Sequence, residues 1–153
     1  MDVSQSAYAG FWGMTSLVSG INHITFAVRD LDRSFHFYSQ VLGLRPVAKR
    51  YKGAYLEAGT DWVCLTLDTE TRTESLPEYT HTAFTVSAAE FSRLVERLQK
   101  AQVICWQANR SPGESFYFLD PDGHKLEIHV SNLEERLRTL RENPPKELTL
   151  FPE

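Results

Sequence analysis

Apolar residues recur along the chain with two periods, one typical of strands and one typical of helices. Residues 23–28 have the form His-x-x-Phe-x-Val, and the same form returns at residues 81–86. Each copy leads into a stretch whose apolar residues lie three or four positions apart, which predicts an amphipathic helix. The first such stretch, residues 31–42, stops at Gly43, a residue that commonly ends helices, and the second covers residues 91–98.

Short apolar runs typical of strands follow each helix. They lie at residues 44–50, 54–58 and 62–67 in the first half and at residues 103–106, 115–119 and 125–130 in the second. Turn-forming residues separate them, as at residues 120–123. The order β-α-β-β-β is thus predicted twice, over about residues 21–67 and 79–130. A last helix is expected at residues 134–142, ended by the Pro144-Pro145 pair.

The repeat predicts an α+β fold of two tandem βαβββ modules. We expect one domain over residues 19–143, a flexible N-terminal extension at 1–18 and a tail at 144–153. Open half-barrels built in this way have exposed strand edges, so pairing of halves within or between chains is expected. We therefore predict a homodimer.

Composition narrows the class of protein. The 153 residues are 42% hydrophobic without a long apolar run, so no membrane span is expected. Residues 1–20 hold no basic region followed by an apolar one, so neither a secretory signal nor a transit peptide is predicted, and the cytoplasm is the expected location. The net charge of -4 and the scattered basic residues provide no electrostatic surface for nucleic acid.

The two cysteines, Cys64 and Cys105, lie in apolar runs that resemble strand interiors. A free cysteine in such a place usually acts as a small apolar residue. In a reducing compartment no disulfide between them is expected.

Three potential metal ligands stand inside apolar stretches: His23 and His81 at matching positions of the repeat, and Glu127 in the last strand. A buried imidazole or carboxylate needs a partner that offsets its desolvation, and a divalent metal would be one. Two imidazoles and a carboxylate suit Mn, Fe, Co, Ni or Zn and leave coordination positions open for a substrate.

Several strings, in order, resemble the vicinal-oxygen-chelate superfamily and, within it, the fosfomycin-resistance glutathione transferases of the FosA type. They are Gly-Ile-Asn-His-Ile-Thr at residues 20–25, Gly-Ala-Tyr-Leu at 53–56, Trp-Val-Cys-Leu at 62–65, Tyr-Thr-His at 79–81, Asn-Arg-Ser at 109–111 and the long segment 115–127. The resemblance implies that His23 of one subunit and His81 and Glu127 of its mate bind Mn(II). It also implies that glutathione sulfur opens the epoxide of fosfomycin, conferring antibiotic resistance.

The same resemblance implies further roles. Thr25 and Tyr55 would be catalytic, with Thr25 hydrogen-bonding the substrate and Tyr55 near the glutathione thiol. The implied substrate-binding residues are Thr25, Trp62, Cys64, Gln107, Ser111, Tyr117 and Arg136, and the implied potassium ligands are Asn109, Ser111, Gly113 and Ser115. Without the resemblance, Arg136 would be assigned to a solvated helix face.

One position departs from the family pattern. The family usually has a lysine directly after the tryptophan that corresponds to Trp106, and this chain has Gln107. A neutral amide can still donate a hydrogen bond, but loss of a charge-assisted contact costs about 1.5–3 kcal/mol. Weaker substrate affinity or a related substrate is therefore expected.

Other activities of the fold remain open. A hydratase would need a carboxylate base near Tyr55, a bacillithiol- or cysteine-using transferase often has cysteine where Thr25 stands, and a glyoxalase-type isomerase needs a fourth ligand. Another small epoxide or phosphonate could also be the substrate. A metal-free drug-binding module would generally lack the three ligands. Of the remaining histidines, only His124 is expected near the pocket, while His36 and His129 are assigned structural or surface positions.

Overall fold

The computed structural model describes residues 16–110 and 113–151. Most of the expected N-terminal extension, together with Ser111, lies outside the described residues. The expected domain limits stay a prediction.

The first module forms a four-stranded mixed sheet. Its elements are β1 (His23–Val28), α1 (Leu31–His36) with a π-helical continuation (Phe37–Val41), β2 (Arg45–Arg50), β3 (Gly53–Ala58) and β4 (Asp61–Leu67). The strand order is β1-β4-β3-β2, with β1 parallel to β4 and the other pairs antiparallel. A parallel pair needs a crossover, which α1, β2 and β3 together supply.

The second module repeats this arrangement. Its elements are β5 (Thr82–Thr85), α2 (Ala88–Lys100), β6 (Cys105–Gln107), β7 (Ser115–Leu119) and β8 (Lys125–His129), and α3 (Leu133–Glu142) follows. The strand order is β5-β8-β7-β6, again with the edge strand, here β5, parallel to its neighbour β8. The predicted α+β fold of two βαβββ modules and the last helix are therefore confirmed.

The end of the first helix is wider than the sequence suggests. The hydroxyl of Ser39 donates to the carbonyl of Phe35 at 2.6 Å, which competes with the regular helical hydrogen bond. The Leu42 amide then bonds the Phe37 carbonyl at 2.8 Å, five residues earlier. Gly43 follows with φ 93°, so the predicted helix stop is confirmed.

The strand predicted at residues 103–106 begins later. Val103 follows α2 and closes its C-terminal end, because its amide donates to the carbonyl of Leu98. β6 therefore starts at Cys105, at the edge of its sheet. Cys105 is exposed, so the expected strand-interior position is wrong for this cysteine, whereas Cys64 is buried. Both cysteines are free.

One apolar core joins the two modules. Phe26 and Leu65 from the first sheet belong to the same buried cluster as Phe118 and Ile128 from the second. The outer strand of the first sheet, β2, stays outside this core, because all six of its residues are exposed. Among the described residues, no helix is long and apolar enough to cross a membrane.

Candidate metal and substrate site

His81 and Glu127 meet at one face of the second sheet. The Nε2 atom of His81 lies 3.0 Å from Oε2 of Glu127, and its Nδ1 lies 2.9 Å from the carbonyl oxygen of Tyr79. A carbonyl can only accept, so Nδ1 carries the hydrogen that it donates to Tyr79. Nε2 then directs its lone pair at a carboxylate, and two acceptors at this distance need a cation between them, either a proton or a metal ion. The donor chemistry of this pair therefore fits a divalent metal.

The Glu127 carboxylate is 2% exposed. Its second oxygen, Oε1, accepts a hydrogen bond from the Ser115 hydroxyl at 2.6 Å. Register places Tyr117 beside Glu127 on β7 and Gln107 beside Tyr117 on β6. Three sequence-predicted residues, Glu127, Tyr117 and Gln107, thus lie side by side across three strands.

Aromatic rings surround His81. Its ring lies 5.0 Å from the Tyr79 ring, 5.4 Å from Trp106 and 6.0 Å from Tyr117, measured between centroids. We call these three rings the aromatic wall. Hydrogen bonds hold it in place, and in one of them Trp106 Nε1 donates to the Leu126 carbonyl at 3.1 Å. The amide of Gln107 donates to the Tyr79 hydroxyl at 3.0 Å. Gln107 is therefore already bonded to a residue of the wall through its neutral donor.

His129 belongs to this site, contrary to the sequence-based assignment. It is buried, and its Nδ1 lies 2.5 Å from Ser115 Oγ and 3.3 Å from Glu127 Oε1. Its Nε2 lies 3.3 Å from a guanidinium nitrogen of Arg136. Strand alternation carries the signal that was missed, because residues 127 and 129 of one strand share a face.

His124 was expected near the pocket, but it contacts the first module instead. Its Nε2 lies 2.8 Å from the carbonyl oxygen of Ala27, and its ring packs on Phe26 at 5.1 Å. It therefore contacts β1 of the first module, away from the face that carries Glu127. His36, assigned to a surface helix, is exposed on α1.

The first sheet carries the other predicted residues. His23 is exposed and stacks on Trp62 at 4.3 Å, while its Nδ1 lies 2.7 Å from the side-chain oxygen of Asn22. That oxygen accepts, so the lone pair of His23 also lies on Nε2. Thr25 shares the face of His23 by alternation, and register places Cys64 between Thr25 and Tyr55.

Tyr55 has a cationic neighbour that the sequence did not suggest. The guanidinium of Arg50 lies 3.5 Å from the Tyr55 hydroxyl and 5.7 Å from the centre of its ring. On its other side the Tyr55 ring contacts Trp62, edge to face, at 5.2 Å. A positive charge therefore lies beside Tyr55.

The chain divides the candidate ligands between two faces. We call the set His23, Thr25, Tyr55, Trp62 and Cys64 the first half-site, and the set His81, Ser115, Tyr117, Glu127, His129 and Arg136 the second half-site. Within residues 16–110 and 113–151 no group of three histidine, cysteine, aspartate or glutamate side chains has an arrangement that could hold a metal ion. The structure thus brings His81 and Glu127 together and leaves His23 apart from them.

The predicted potassium loop is partly described. The amide of Asn109 donates to the carbonyl of Gly113 at 2.9 Å, which closes the loop in front of Ser115. Gly113 has φ 87°, and a Cβ atom there would lie 2.9 Å from the Cβ of Ser131 and 3.5 Å from Cε1 of His129. Glycine is therefore required for both conformation and space. Ser111, assigned to both substrate and potassium, lies outside the described residues.

Comparison with known proteins identifies the family of the chain. Residues 20–128 match the Glyoxalase/Bleomycin resistance protein/Dioxygenase superfamily. The chain belongs to this superfamily.

Two curated relatives from the superfamily carry transferase names. The chain is 49% identical over 131 residues to the glutathione transferase FosA of Serratia marcescens, which covers 84% of this chain and 92% of that protein. It is 36% identical over 124 residues to the metallothiol transferase FosB of Lysinibacillus sphaericus, covering 78% and 88% respectively.

Solved structures of the superfamily share the fold. One is a mutant of the fosfomycin resistance protein FosX of Listeria monocytogenes, in complex with Mn(II) and 1S,2S-dihydroxypropylphosphonic acid. It has a TM-score of 0.69 at 26% identity and covers 80% of this chain and 99% of its own. FosX of Mesorhizobium loti has a TM-score of 0.64 at 32% identity with the same coverage.

Proposed function

We propose that the protein is a metal-dependent glutathione transferase that opens the epoxide of fosfomycin and so confers resistance. The observation that carries the proposal is the His81–Glu127 pair, whose facing acceptor atoms at 3.0 Å call for a cation between them. Support also comes from the 49% identity to a glutathione transferase over 92% of its length.

The metal is proposed to be Mn(II), with other divalent ions as possible substitutes. Its ligands would be His23 of one subunit and His81 and Glu127 of the other in a homodimer, since one chain keeps these residues on separate faces. When bound, the metal supplies a Lewis acid for the epoxide oxygen. The Nδ1 contacts of both histidines support Nε2 as the ligand atom.

The phosphonate is proposed to lie between β7 and α3. Arg136 supplies the charge, Tyr117 and Gln107 line the sheet beside Glu127, and Ser111 is assigned to the same subsite. A guanidinium binds a phosphonate through charge-assisted hydrogen bonds, which would orient the epoxide toward the metal face. The neutral Gln107 contributes less to this subsite than the lysine usual in the family.

The thiol is proposed to bind at the first half-site. Thr25 would donate a hydrogen bond to the substrate, and Trp62 and Cys64 would line the same half-site. Arg50 lies against Tyr55 and places a positive charge where the thiolate is needed, which favours the ionised nucleophile. Asn109, Ser111, Gly113 and Ser115 are proposed to bind potassium beside the anionic substrate.

Hydration of the epoxide is the second candidate, because the FosX mutant structure contains a dihydroxypropylphosphonic acid. A water nucleophile needs a carboxylate base near Tyr55. The carboxylate on that strand, Glu57, is ion-paired with Arg45, and Tyr55 itself contacts the cation of Arg50. These charges favour a thiolate over water. Thr25 in place of cysteine likewise favours glutathione over bacillithiol.

The cytoplasm is the proposed location, because glutathione keeps thiols reduced there and both cysteines of the chain are free. This assignment follows from the proposed co-substrate.

The test is consumption of glutathione by metal-stripped protein given fosfomycin, with Mn(II) and potassium added separately. We expect a glutathione adduct that depends on the metal and increases with potassium. His81→Ala and Glu127→Ala should be inactive yet dimeric, and His36→Ala, an exposed histidine outside the site, should retain full activity. Activity in His81→Ala would remove the metal mechanism, and a diol in place of the adduct would establish the hydratase.

A further inference from the structure

We propose that His129 is a positioning residue that connects the metal ligand Glu127 to the phosphonate-binding Arg136 through Ser115. The inference rests on the proposed function, because the roles of Glu127 and Arg136 do. It adds a residue to that site and a physical link between its metal and phosphonate subsites.

The link consists of three contacts in sequence. Ser115 Oγ lies 2.6 Å from Glu127 Oε1 and 2.5 Å from His129 Nδ1, and His129 Nε2 lies 3.3 Å from the Arg136 guanidinium. Ser115, Glu127 and His129 are all buried. A buried histidine with a partner on each ring nitrogen has one orientation, so the contacts fix its ring.

The hydrogen bonds of this link can be assigned donors and acceptors in one direction. Arginine can only donate, so Nε2 of His129 accepts and carries a lone pair. A neutral imidazole with an accepting Nε2 carries its hydrogen on Nδ1, which donates to Ser115 Oγ. The hydroxyl hydrogen of Ser115 is directed to the Glu127 carboxylate. The order is therefore Arg136 to His129 to Ser115 to Glu127, each group donating to the next.

Glu127 and Arg136, the two ends of the link, both need these contacts to keep their positions. Glu127 must keep one carboxylate oxygen facing His81, and the Ser115 hydroxyl holds the other oxygen. Arg136 lies in the first turn of α3, where a positive charge opposes the helix dipole. Its contact with His129 Nε2 holds one end of this exposed side chain beside the sheet.

Two amide substitutions separate the two functions of the ring, which are donation to Ser115 and acceptance from Arg136. The amide of asparagine lies close to the position of Nδ1, so His129→Asn can still donate to Ser115 but loses the acceptor for Arg136. The amide of glutamine reaches the position of Nε2, so His129→Gln can still accept from Arg136 but loses the donor to Ser115. His124→Gln, a buried histidine on Ala27, is the matched control.

The experiment measures two equilibria without turnover. Mn(II) binding to metal-stripped protein is followed by electron paramagnetic resonance, and binding of propylphosphonate, which has no epoxide, is followed by calorimetry on the Mn(II)-loaded protein. His129→Gln should weaken Mn(II) binding by about ten- to a hundredfold, the usual effect of losing a partner of a ligand. It should leave propylphosphonate affinity on the loaded protein close to that of the wild type.

His129→Asn should show the opposite pattern. Propylphosphonate affinity should fall by about tenfold or more, as for loss of a hydrogen bond to a charged group, and Mn(II) affinity should stay near that of the wild type. His124→Gln should change neither affinity. Thermal unfolding of each variant shows whether it is folded before binding is compared.

The inference is overturned if both His129 variants bind both probes as the wild type does, or if both lose both affinities in the same proportion. The second result would assign His129 to packing alone. Wild-type protein that fails to bind Mn(II) would overturn it as well. If the wild type binds both probes but consumes no glutathione, the proposed transferase fails while the link stands.

Discussion

Asp122 and Ser34 lie 88 positions apart in the sequence and are joined by a hydrogen bond of 3.2 Å between the serine hydroxyl and the aspartate carboxylate. The second oxygen of Asp122 accepts from the Arg33 guanidinium at 3.0 Å and from the Arg29 amide at 3.2 Å. Asp122 belongs to the turn between β7 and β8, and its three donors lie at and just before α1. The hairpin of the second module is thus held by the helix of the first.

Replacing Asp122 should destabilise the whole chain. Asp122→Ala removes the acceptor of a buried hydroxyl, a guanidinium and a backbone amide, so we expect the free energy of unfolding in urea to fall by about 3 kcal/mol. Asp32→Ala, on the exposed face of α1, removes a surface ion pair to Lys49 and should cost less than about 1 kcal/mol. Equal effects of the two changes would contradict this role of Asp122.

A neighbouring carboxyl predicts a pH dependence. Burial raises the pKa of Asp120 above its ordinary value of 3.8. The folded state therefore holds this proton more tightly than the unfolded state. The contribution of Asp120 to stability is largest below pH 3.8 and declines as pH rises through the raised pKa.

Asp120→Asn has no such proton to lose. Its donor Tyr38, 2.8 Å away, stays protonated because burial raises the pKa of that hydroxyl well above 10.0. Urea unfolding of metal-free wild type and variant should therefore show a stability difference that shifts in favour of Asp120→Asn as pH rises from about 4. A difference that is constant with pH, or shifts toward the wild type, would contradict the raised pKa.

Gly113→Ala should impair the proposed potassium loop. The new methyl group would combine a left-handed backbone with a 2.9 Å contact to Ser131, so the loop must shift. We expect the potassium concentration for half-maximal activation to rise about fivefold or more, in line with a backbone cost of about 1 kcal/mol. The control is Gly59→Ala, which has φ 66° but open space around it. Similar effects in both variants would contradict a local effect of residue 113 on the potassium loop.

The division of the ligands predicts complementation. His23→Ala and Glu127→Ala should each be inactive as pure proteins. If His23 completes a site on the partner subunit, a mixed dimer contains one site with both changes and one with none. Equal co-expression should therefore restore about a quarter of wild-type activity, since half of the dimers are mixed. A mixture that stays inactive, in dimers shown to be mixed by affinity tags, would place all three ligands within one chain.

The sequence predicted the fold well because both modules follow simple periodicities. The strands β3, β4, β7 and β8 lie where alternating or continuous apolar runs placed them. The late start of β6 could not be read from composition, because Val103 is as apolar as a strand residue but serves to close α2. The π-helical end of α1, where the Ser39 hydroxyl bonds the Phe35 carbonyl, leaves no periodic signal in the sequence.

The site was predicted less completely, for physical reasons. The pairing of His81 with Glu127 follows from the parallel contact of β5 and β8, and element order alone did not predict this contact. Arg50 was missed because it precedes Tyr55 by five residues and approaches it across a hairpin. The contact of His129 with Arg136 required the direction in which α3 leaves the sheet, and that direction is set by tertiary packing.

The outer strand β2 has a consequence for behaviour in concentrated solution. A fully exposed edge strand offers unpaired backbone groups to other chains and is a common starting point for aggregation. Here that edge carries Arg45, Lys49 and Arg50 together with Pro46, and its register with β3 shifts between Pro46 and Ala48. The missing amide hydrogen of Pro46 and the irregular ladder each oppose the addition of a further strand. The same strand that brings Arg50 to Tyr55 therefore also carries features that disfavour edge-to-edge growth into fibrils.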